Sequence, residues 1–197
     1  MKIRIQAFSL YFTGLLAAAS ALPAADSMQS DESALADHAQ ASVAAYAAAL
    51  KGELSSAMQA GGPLQAIEVC NTRAPAIAKE ISLQQGMRVS RVSERNRNPG
   101  NAPSEWQATV LQEFQARLTA GEDAASLVWH DVSETDAGRE FRFMQAIPTA
   151  PLCLACHGET IAPPVAAKIA ELYPDDKATG FNEGDLRGAF VVTRLLD

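Results

Sequence analysis

The sequence of 197 residues has no excess of positive charge and no internal repeat, and it has no long hydrophobic run after its first segment. Lysine and arginine number 16 against 23 aspartate and glutamate residues, which gives a net charge of −7. Proteins that bind nucleic acid need positive charge to neutralise phosphates, so this balance argues against a nucleic-acid partner. The acidic surface suits a soluble protein, or a docking site for a basic partner.

The N-terminus has the pattern of an export signal. Lys2 and Arg4 precede an apolar run, and small residues at 19–21 fit an A-x-A cleavage site. The apolar core is shorter than the ~20 residues that span a bilayer, so we expect a cleaved signal peptide over residues 1–21 rather than an anchor. Cleavage leaves 176 residues with a net charge of −9, because the signal contains two of the 16 basic residues. We predict a periplasmic protein with no membrane span after cleavage.

Cysteine is scarce, but two of the three cysteines form a motif. Cys153 and Cys156 are followed by His157 in the pattern C-x-x-C-H, the attachment signature of a c-type haem. Two thiols at this spacing can each add to one haem vinyl group, and the adjacent imidazole can ligate the iron. Gly158 lets the backbone turn away closely. The sequence therefore predicts one covalently attached haem c.

Two other interpretations of this motif are weaker. A redox dithiol would precede a helix in a βαβ pattern, which the proline-rich neighbourhood does not supply. A zinc site would need the third cysteine as well, and the consecutive Cys156 and His157 are poorly placed to reach one small ion together.

Hydrophobic periodicity and turn residues predict the order of elements. We expect a flexible leader over 22–32 and one domain over 33–197. Predicted helices cover 33–61, 63–86, 104–120 and 165–173, and predicted strands cover 87–93, 126–132, 139–146 and 189–196. Strands that follow one another through short turns favour an antiparallel sheet, and segregated helices give an α+β fold.

The third cysteine, Cys70, has no disulfide partner once the motif holds a haem. It lies on the apolar stripe of the second predicted helix, one turn before Pro75, which is expected to bend that helix. Spacing alone leaves two roles open: a small buried hydrophobic side chain, or an axial ligand opposite His157. Other candidates for the sixth iron position are His38, His130, Met28, Met58, Met87 and Met144.

Four blocks of residues resemble a known family. They are the run 66–70 with 74–78, the run 97–103 with Trp106, the motif 153–158, and the glycine-rich segment 180–190. Over residues 35–196 the chain resembles the single-haem c-type domain with a PAS-like fold, the Tll-like haem domain. One departure is Leu152, where many members have an aromatic residue before the first haem cysteine.

The resemblance implies a fold and a ligand set. It implies a PAS-like antiparallel sheet with N-terminal helices and a haem-attachment loop that carries the C-x-x-C-H motif. It also implies that the iron is held by the motif histidine and by a cysteine of the early helix, which correspond here to His157 and Cys70. The haem propionates need cationic partners, and the sequence offers Arg73, Arg91, Arg97 and Arg187 as candidates, although a solvated charged face is the more ordinary explanation of such residues.

Thiolate ligation would have functional consequences. A thiolate cancels the net charge of the ferric ring, so that reduction leaves an excess negative charge in a partly buried site, and we expect a low reduction potential. We also expect protonation or loss of the Cys70 sulfur on reduction.

This behaviour favours a redox or small-ligand sensor that passes its signal to a separate protein, with a small gas as one conceivable ligand. The alternative is a low-potential electron-transfer cytochrome. An enzyme of the haem-peroxidase type is less favoured, because His130 is its only candidate distal base.

Overall fold

The N-terminal half of the domain is one long helical hairpin. The computed structural model describes the backbone of residues 24–197 and the side chains of residues 31–197. Helix α1 covers Ala24–Gln85, and its only non-helical residue is Gly62, with φ 69° and ψ −160°. Arg73 Nη2 lies 3.0 Å from Glu53 Oε1, although 20 residues of straight helix would span about 30 Å. The two segments, 24–61 and 63–85, therefore fold back on each other at Gly62.

A four-stranded antiparallel sheet forms the second half of the domain. Its strands are β1 (Arg88–Val92), β2 (Val128–Thr135), β3 (Gly138–Pro148) and β4 (Leu186–Leu195). The order across the sheet is β1-β4-β3-β2, so the last strand along the chain lies between β1 and β3. A two-residue turn joins β2 to β3, with Thr135 paired to Gly138.

Three further helices complete the described part of the chain. They are α2 (Glu105–Thr119), α3 (Leu154–His157) and α4 (Pro163–Leu172). Helix α2 begins at its N-cap Ser104, whose backbone N–H donates to Gln107 Oε1 at 2.9 Å. The very short α3 contains the second cysteine and the histidine of the C-x-x-C-H motif.

Apolar side chains pack on both faces of the sheet. On one face, Tyr46 and Ile77 of α1 contact a cluster that includes Phe141, Phe143 and Val192. On the other face, α2 packs on the sheet through an apolar cluster that includes Val110, Leu111, Phe114, Met144 and Val191. A smaller cluster joins Ile67 of α1 to Val165, Ile169 and Tyr173 at α4. The sheet is therefore covered by α1 on one side and α2 on the other.

The structure confirms the α+β class, the antiparallel sheet and the N-terminal helices. It corrects the start of the first helix, which begins at Ala24 and not at Ser33, because the alanine-rich stretch contains no residue that interrupts a helix before Gly52. The predicted leader thus overlaps α1 from Ala24 onward. The predicted signal peptide lies outside the described residues. Within residues 24–197, no helix is both long enough and apolar enough to cross a membrane.

Candidate functional site

A cavity of about 470 Å³ separates α1 from the loop that carries the C-x-x-C-H motif. This volume is in the range of small-molecule and cofactor pockets. We call the α1 residues that line it the helix wall, and the lining residues of the segment 152–157 the motif wall. Most of the residues singled out from the sequence line this one cavity: Cys70, Arg91, Arg97, Cys153, Cys156, His157 and Arg187. The structure therefore brings together positions up to 117 residues apart, from Cys70 to Arg187.

The imidazole of His157 is held in one tautomer. Its Nδ1 lies 2.7 Å from the backbone oxygen of Ala178. A carbonyl oxygen only accepts, so Nδ1 carries the hydrogen and Nε2 keeps a free lone pair. Burial lowers the pKa of His157 to about 3, and the nearby Arg187 and Arg97 act in the same direction. A neutral imidazole with a free Nε2 is the form that ligates a metal.

The backbone of the motif wall is also well fixed. The segment after α4 returns to it, since Gly180 N donates to Gly158 O and Phe181 N donates to His157 O, both at 2.9 Å. Arg97 Nη2 donates to the carbonyl oxygen of Cys156 at 2.6 Å. A Cβ atom at position 158 would lie 2.7 Å from the carbonyl oxygen of Leu154, so only glycine fits this close turn.

The helix wall presents Cys70 to the same cavity. Both segments of α1 line it, the first with Tyr46, Leu50, Leu54 and Met58. Pro75 lies one turn after Cys70, inside α1 and without a break in the helical dihedrals. Burial raises the pKa of the Cys70 thiol, an effect that Arg91, Arg97 and Arg187 partly oppose. Cys70, Cys153 and Cys156 are all free thiols.

Three of the four candidate arginines belong to the cavity, and the fourth does not. Arg73 is not among the lining residues: it lies 3.0 Å from Glu53 and 3.8 Å from Glu80, with its side chain 43% exposed. Arg187 is partly buried and donates to Ser93 Oγ at 3.2 Å. Burial, Arg97 and Arg91 lower the pKa of Arg187 to about 10. Among the described residues, no carboxylate lies within 4.0 Å of Arg91 or Arg187.

Arg97 differs from the other two cationic residues of the cavity because it has a carboxylate partner. Its Nε and Nη2 lie 3.1 Å from the two oxygens of Asp176, and both side chains are 10% exposed. Three guanidinium groups thus face the cavity, and within the described residues Asp176 is the one carboxylate that pairs with them. The site has an excess of about two positive charges, which favours an anionic ligand.

The structure separates the other candidates for the sixth iron position. His130 Nε2 lies 3.6 Å from Glu32 in a side chain that is 39% exposed, and it does not line the cavity. His38 does not line it either, and Met87 and Met144 are core residues. Met58 does line the cavity, so it remains a second possible sulfur donor beside Cys70. Met28 lies outside the residues whose side chains are described.

Sequence reasoning missed Asp176 and assigned no role to Tyr173, which also lines the cavity. The only local signal for Asp176 is its place in a Pro-Asp-Asp turn after α4.

Among the described residues, no three His, Cys, Asp or Glu side chains are close enough together to hold a bare metal ion. Haem iron asks only for axial ligands, since the porphyrin supplies four nitrogens.

Two comparisons with known proteins point to the same family. A model of the Tll0287-like family matches residues 19–194 of the chain, a range that contains every residue lining the cavity. The fold is similar to the crystal structure of the cyanobacterial heme-protein Tll0287, with a TM-score of 0.52 and 30% sequence identity. That similarity covers 64% of this chain and 71% of the other. No curated protein matches the sequence.

Proposed function

Because the chain belongs to the Tll0287-like family, we propose that it binds one haem of the c type in the cavity between α1 and the C-x-x-C-H loop. Cys153 and Cys156 are the residues for the two thioether bonds, and His157 and Cys70 are the axial ligands. The observation that carries the proposal is that Cys153, Cys156 and His157 of the motif line the same cavity as Cys70.

The residues of the cavity fit this group in shape, charge and donor chemistry. The helix wall is largely apolar, as the porphyrin face requires. Two haem propionates carry two negative charges, which match the excess of about two positive charges from the arginines. We propose Arg91 and Arg187 as the propionate partners, with Arg97 engaged by Asp176. Arg73 has no part in this assignment, because its partners are Glu53 and Glu80.

When bound, the haem supplies a one-electron redox couple at its iron. The two ligands then act differently. Burial and the nearby Arg187 and Arg97 keep His157 neutral, and its hydrogen bond from Nδ1 to the Ala178 carbonyl oxygen leaves Nε2 free. Cys70 binds strongly as a thiolate and weakly as a thiol, so proton uptake at its sulfur loosens its hold. A Cys70 ligand that exchanges in this way would suit a redox or small-ligand sensor better than a rapid electron carrier.

The second candidate is a low-potential electron-transfer cytochrome. Leu152 of the motif wall is 47% exposed, so an apolar edge of the cavity reaches the surface beside Cys153. Such an edge suits brief contact with a redox partner. A peroxidase role has less support, since His130 does not line the cavity.

We further propose that the protein works in the periplasm with a separate redox or signalling partner, with a small gas as a candidate ligand. Two arguments support this proposal. Residues 1–21 have the pattern of a signal peptide, and haem of the c type is attached after export to that compartment. Cell fractionation of the full chain tests this localisation. Recovery of the haem-loaded chain only from the cytoplasm would contradict it.

Covalent attachment is tested by producing the full chain together with a c-type haem attachment system. Intact-mass spectrometry should show one haem per chain that survives acidified organic solvent. Changing Cys153 and Cys156 to Ser should abolish that mass increase, while Cys70→Ser should retain it. A wild-type chain that carries no covalent haem under these conditions would overturn the proposal.

The sixth ligand is tested with two matched variants of the helix wall. Cys70→Ala should change the ferric absorption and electron-spin-resonance spectra, whereas Met58→Leu should leave both as in the wild type. The reverse result would assign the position to methionine. Comparison of ferric and ferrous spectra then separates the two functions, since a sensor releases the Cys70 sulfur on reduction and an electron carrier keeps its ligands.

A further inference from the structure

A buried ion pair links two loops that lie outside the C-x-x-C-H motif. Arg97 follows β1, and Asp176 follows α4, 79 residues later in the chain. Nε and Nη2 of the guanidinium each lie 3.1 Å from one carboxylate oxygen, and each side chain is 10% exposed. The two-pronged geometry fixes the relative position of the loops more closely than a single contact would.

The same two side chains hydrogen-bond both backbone polar groups of Ala178. Asp176 Oδ1 accepts from Ala178 N at 2.9 Å, and Arg97 Nη2 donates to Ala178 O at 3.2 Å. That carbonyl oxygen is the acceptor for His157 Nδ1, at 2.7 Å. Arg97 also donates to the carbonyl oxygen of Cys156, the residue before the histidine. Both the imidazole and its backbone are thus tied to this pair.

We propose that Arg97 and Asp176 are positioning residues that fix the tautomer and orientation of the His157 imidazole and so set how strongly its Nε2 donates to iron. We call them the Arg97–Asp176 clamp. The inference rests on the haem-binding function proposed above. Groups that hydrogen-bond a ligating histidine through its second nitrogen raise its basicity, and their removal commonly costs 10–100-fold in metal affinity or activity.

The clamp predicts the direction of a change in reduction potential. A firm Nδ1–H···O bond makes the imidazole a better donor and favours the ferric state. A looser clamp therefore raises the potential. If the ratio of ferric to ferrous affinity changes tenfold, the shift is about 59 mV for a one-electron couple.

The decisive variant is Arg97→Lys, because it keeps the charge and loses the planar fork. The clamp predicts a higher reduction potential in the haem-loaded full chain, with an altered ferric spin-resonance spectrum. If only the charge of Arg97 matters, Arg97→Lys should leave the reduction potential and the spectrum unchanged. Asp176→Asn should shift the potential in the same direction, although there the lost negative charge contributes as well.

Glu140→Gln provides a matched control. The Glu140–Arg142 pair lies on β3, with a distance of 2.8 Å and side chains 23% and 16% exposed, and neither residue lines the cavity. Its loss should leave the potential and the spectra unchanged. If Arg97→Lys gives the wild-type potential and spectra, or if Glu140→Gln shifts them equally, the clamp is refuted.

A second measurement separates this inference from the proposed function. In the full chain with Cys153→Ser and Cys156→Ser, nitrogen NMR of His157 should show hydrogen on Nδ1, and adding Arg97→Lys should reduce that preference. Tautomer averaging already without the Arg97 change would overturn the clamp. A wild-type chain that takes up no haem when produced with the attachment system, but that shows the Nδ1–H tautomer, would overturn the haem proposal and support the clamp.

Discussion

The two walls of the cavity are held in place by different forces. The motif wall is tied by directional hydrogen bonds, including those to His157, Gly158 and the carbonyl oxygen of Cys156. The helix wall around Cys70 rests instead on apolar contacts of Ile67 with α4 and on ion pairs at the surface. Directional bonds fix a position closely, whereas apolar contacts tolerate small displacements. The comparison therefore predicts that, of the two proposed iron ligands, His157 is held firmly and Cys70 has a support that can shift.

Removing each ligand gives the largest expected contrast between the walls. His157→Ala should lower the yield of correctly loaded protein by about tenfold or more, because the motif wall is built around that imidazole. Cys70→Ala should give a yield close to wild type with a changed ferric spectrum. Haem content per chain after identical expression measures both. An equal loss of haem content in the two variants would mean that the two walls contribute equally to haem loading, against this prediction.

Shortening one apolar side chain tests the support of the helix wall. Ile67→Ala should cost about 2–5 kcal/mol in the free energy of unfolding, because this buried residue packs on α4. Ile77→Ala, also buried in α1 but packed on the sheet, should cost a similar amount. Urea unfolding measures the costs. Only Ile67→Ala should alter the ferric spectrum, and an equal effect of Ile77→Ala would contradict a local role.

The break in α1 offers a second matched pair of variants. Gly62 has φ 69° and ψ −160°, a conformation that only glycine adopts easily, so Gly62→Ala should cost about 1–3 kcal/mol. Gly52 lies in regular helix with open space around its Cβ position, so Gly52→Ala should stabilise by about 0.5–1 kcal/mol. Urea unfolding should give opposite signs. Two changes of the same sign would show that the break does not set the hairpin.

The smallest effect is expected at the surface of the helix wall. The Arg73–Glu53 pair has side chains 43% and 40% exposed, so Arg73→Gln should change the unfolding free energy by less than about 1 kcal/mol. That difference should shrink in high salt. The haem spectra and the potential should stay at wild-type values. A shifted potential would return Arg73 to the list of propionate partners.

Local patterns predicted the elements well, and the resemblance predicted their assembly. Helical periodicity located the apolar stripe with Cys70, and alternation predicted that Trp129 and His130 point to opposite sides of β2. This is confirmed, since Trp129 packs with the α2 cluster while His130 is partly exposed. Spacing alone could not decide between a buried thiol and an iron ligand for Cys70.

The parts that were not predictable depend on contacts between distant segments. Arg97 and Asp176 are 79 residues apart, and no local pattern marks them as partners. The sequence also gave no reason to separate Arg73 from the other arginines. Its position one turn after Cys70 suggested the cavity, but the second segment of α1 turns that side chain towards Glu53 and Glu80.

The place of β4 in the middle of the sheet determines when the molecule can assemble. Strand β1 pairs only with β4 in this sheet, and the partners Arg91 and Phe190 are 99 positions apart. Such non-local pairing makes folding slow, and β1 cannot pair until β4 has been synthesised. Until β4 arrives, the arginines of β1 and β4 stay apart and the thiols at 153 and 156 remain reachable. If the proposed haem is attached covalently, the topology thus leaves a time window in which an attachment enzyme can act before the sheet is complete.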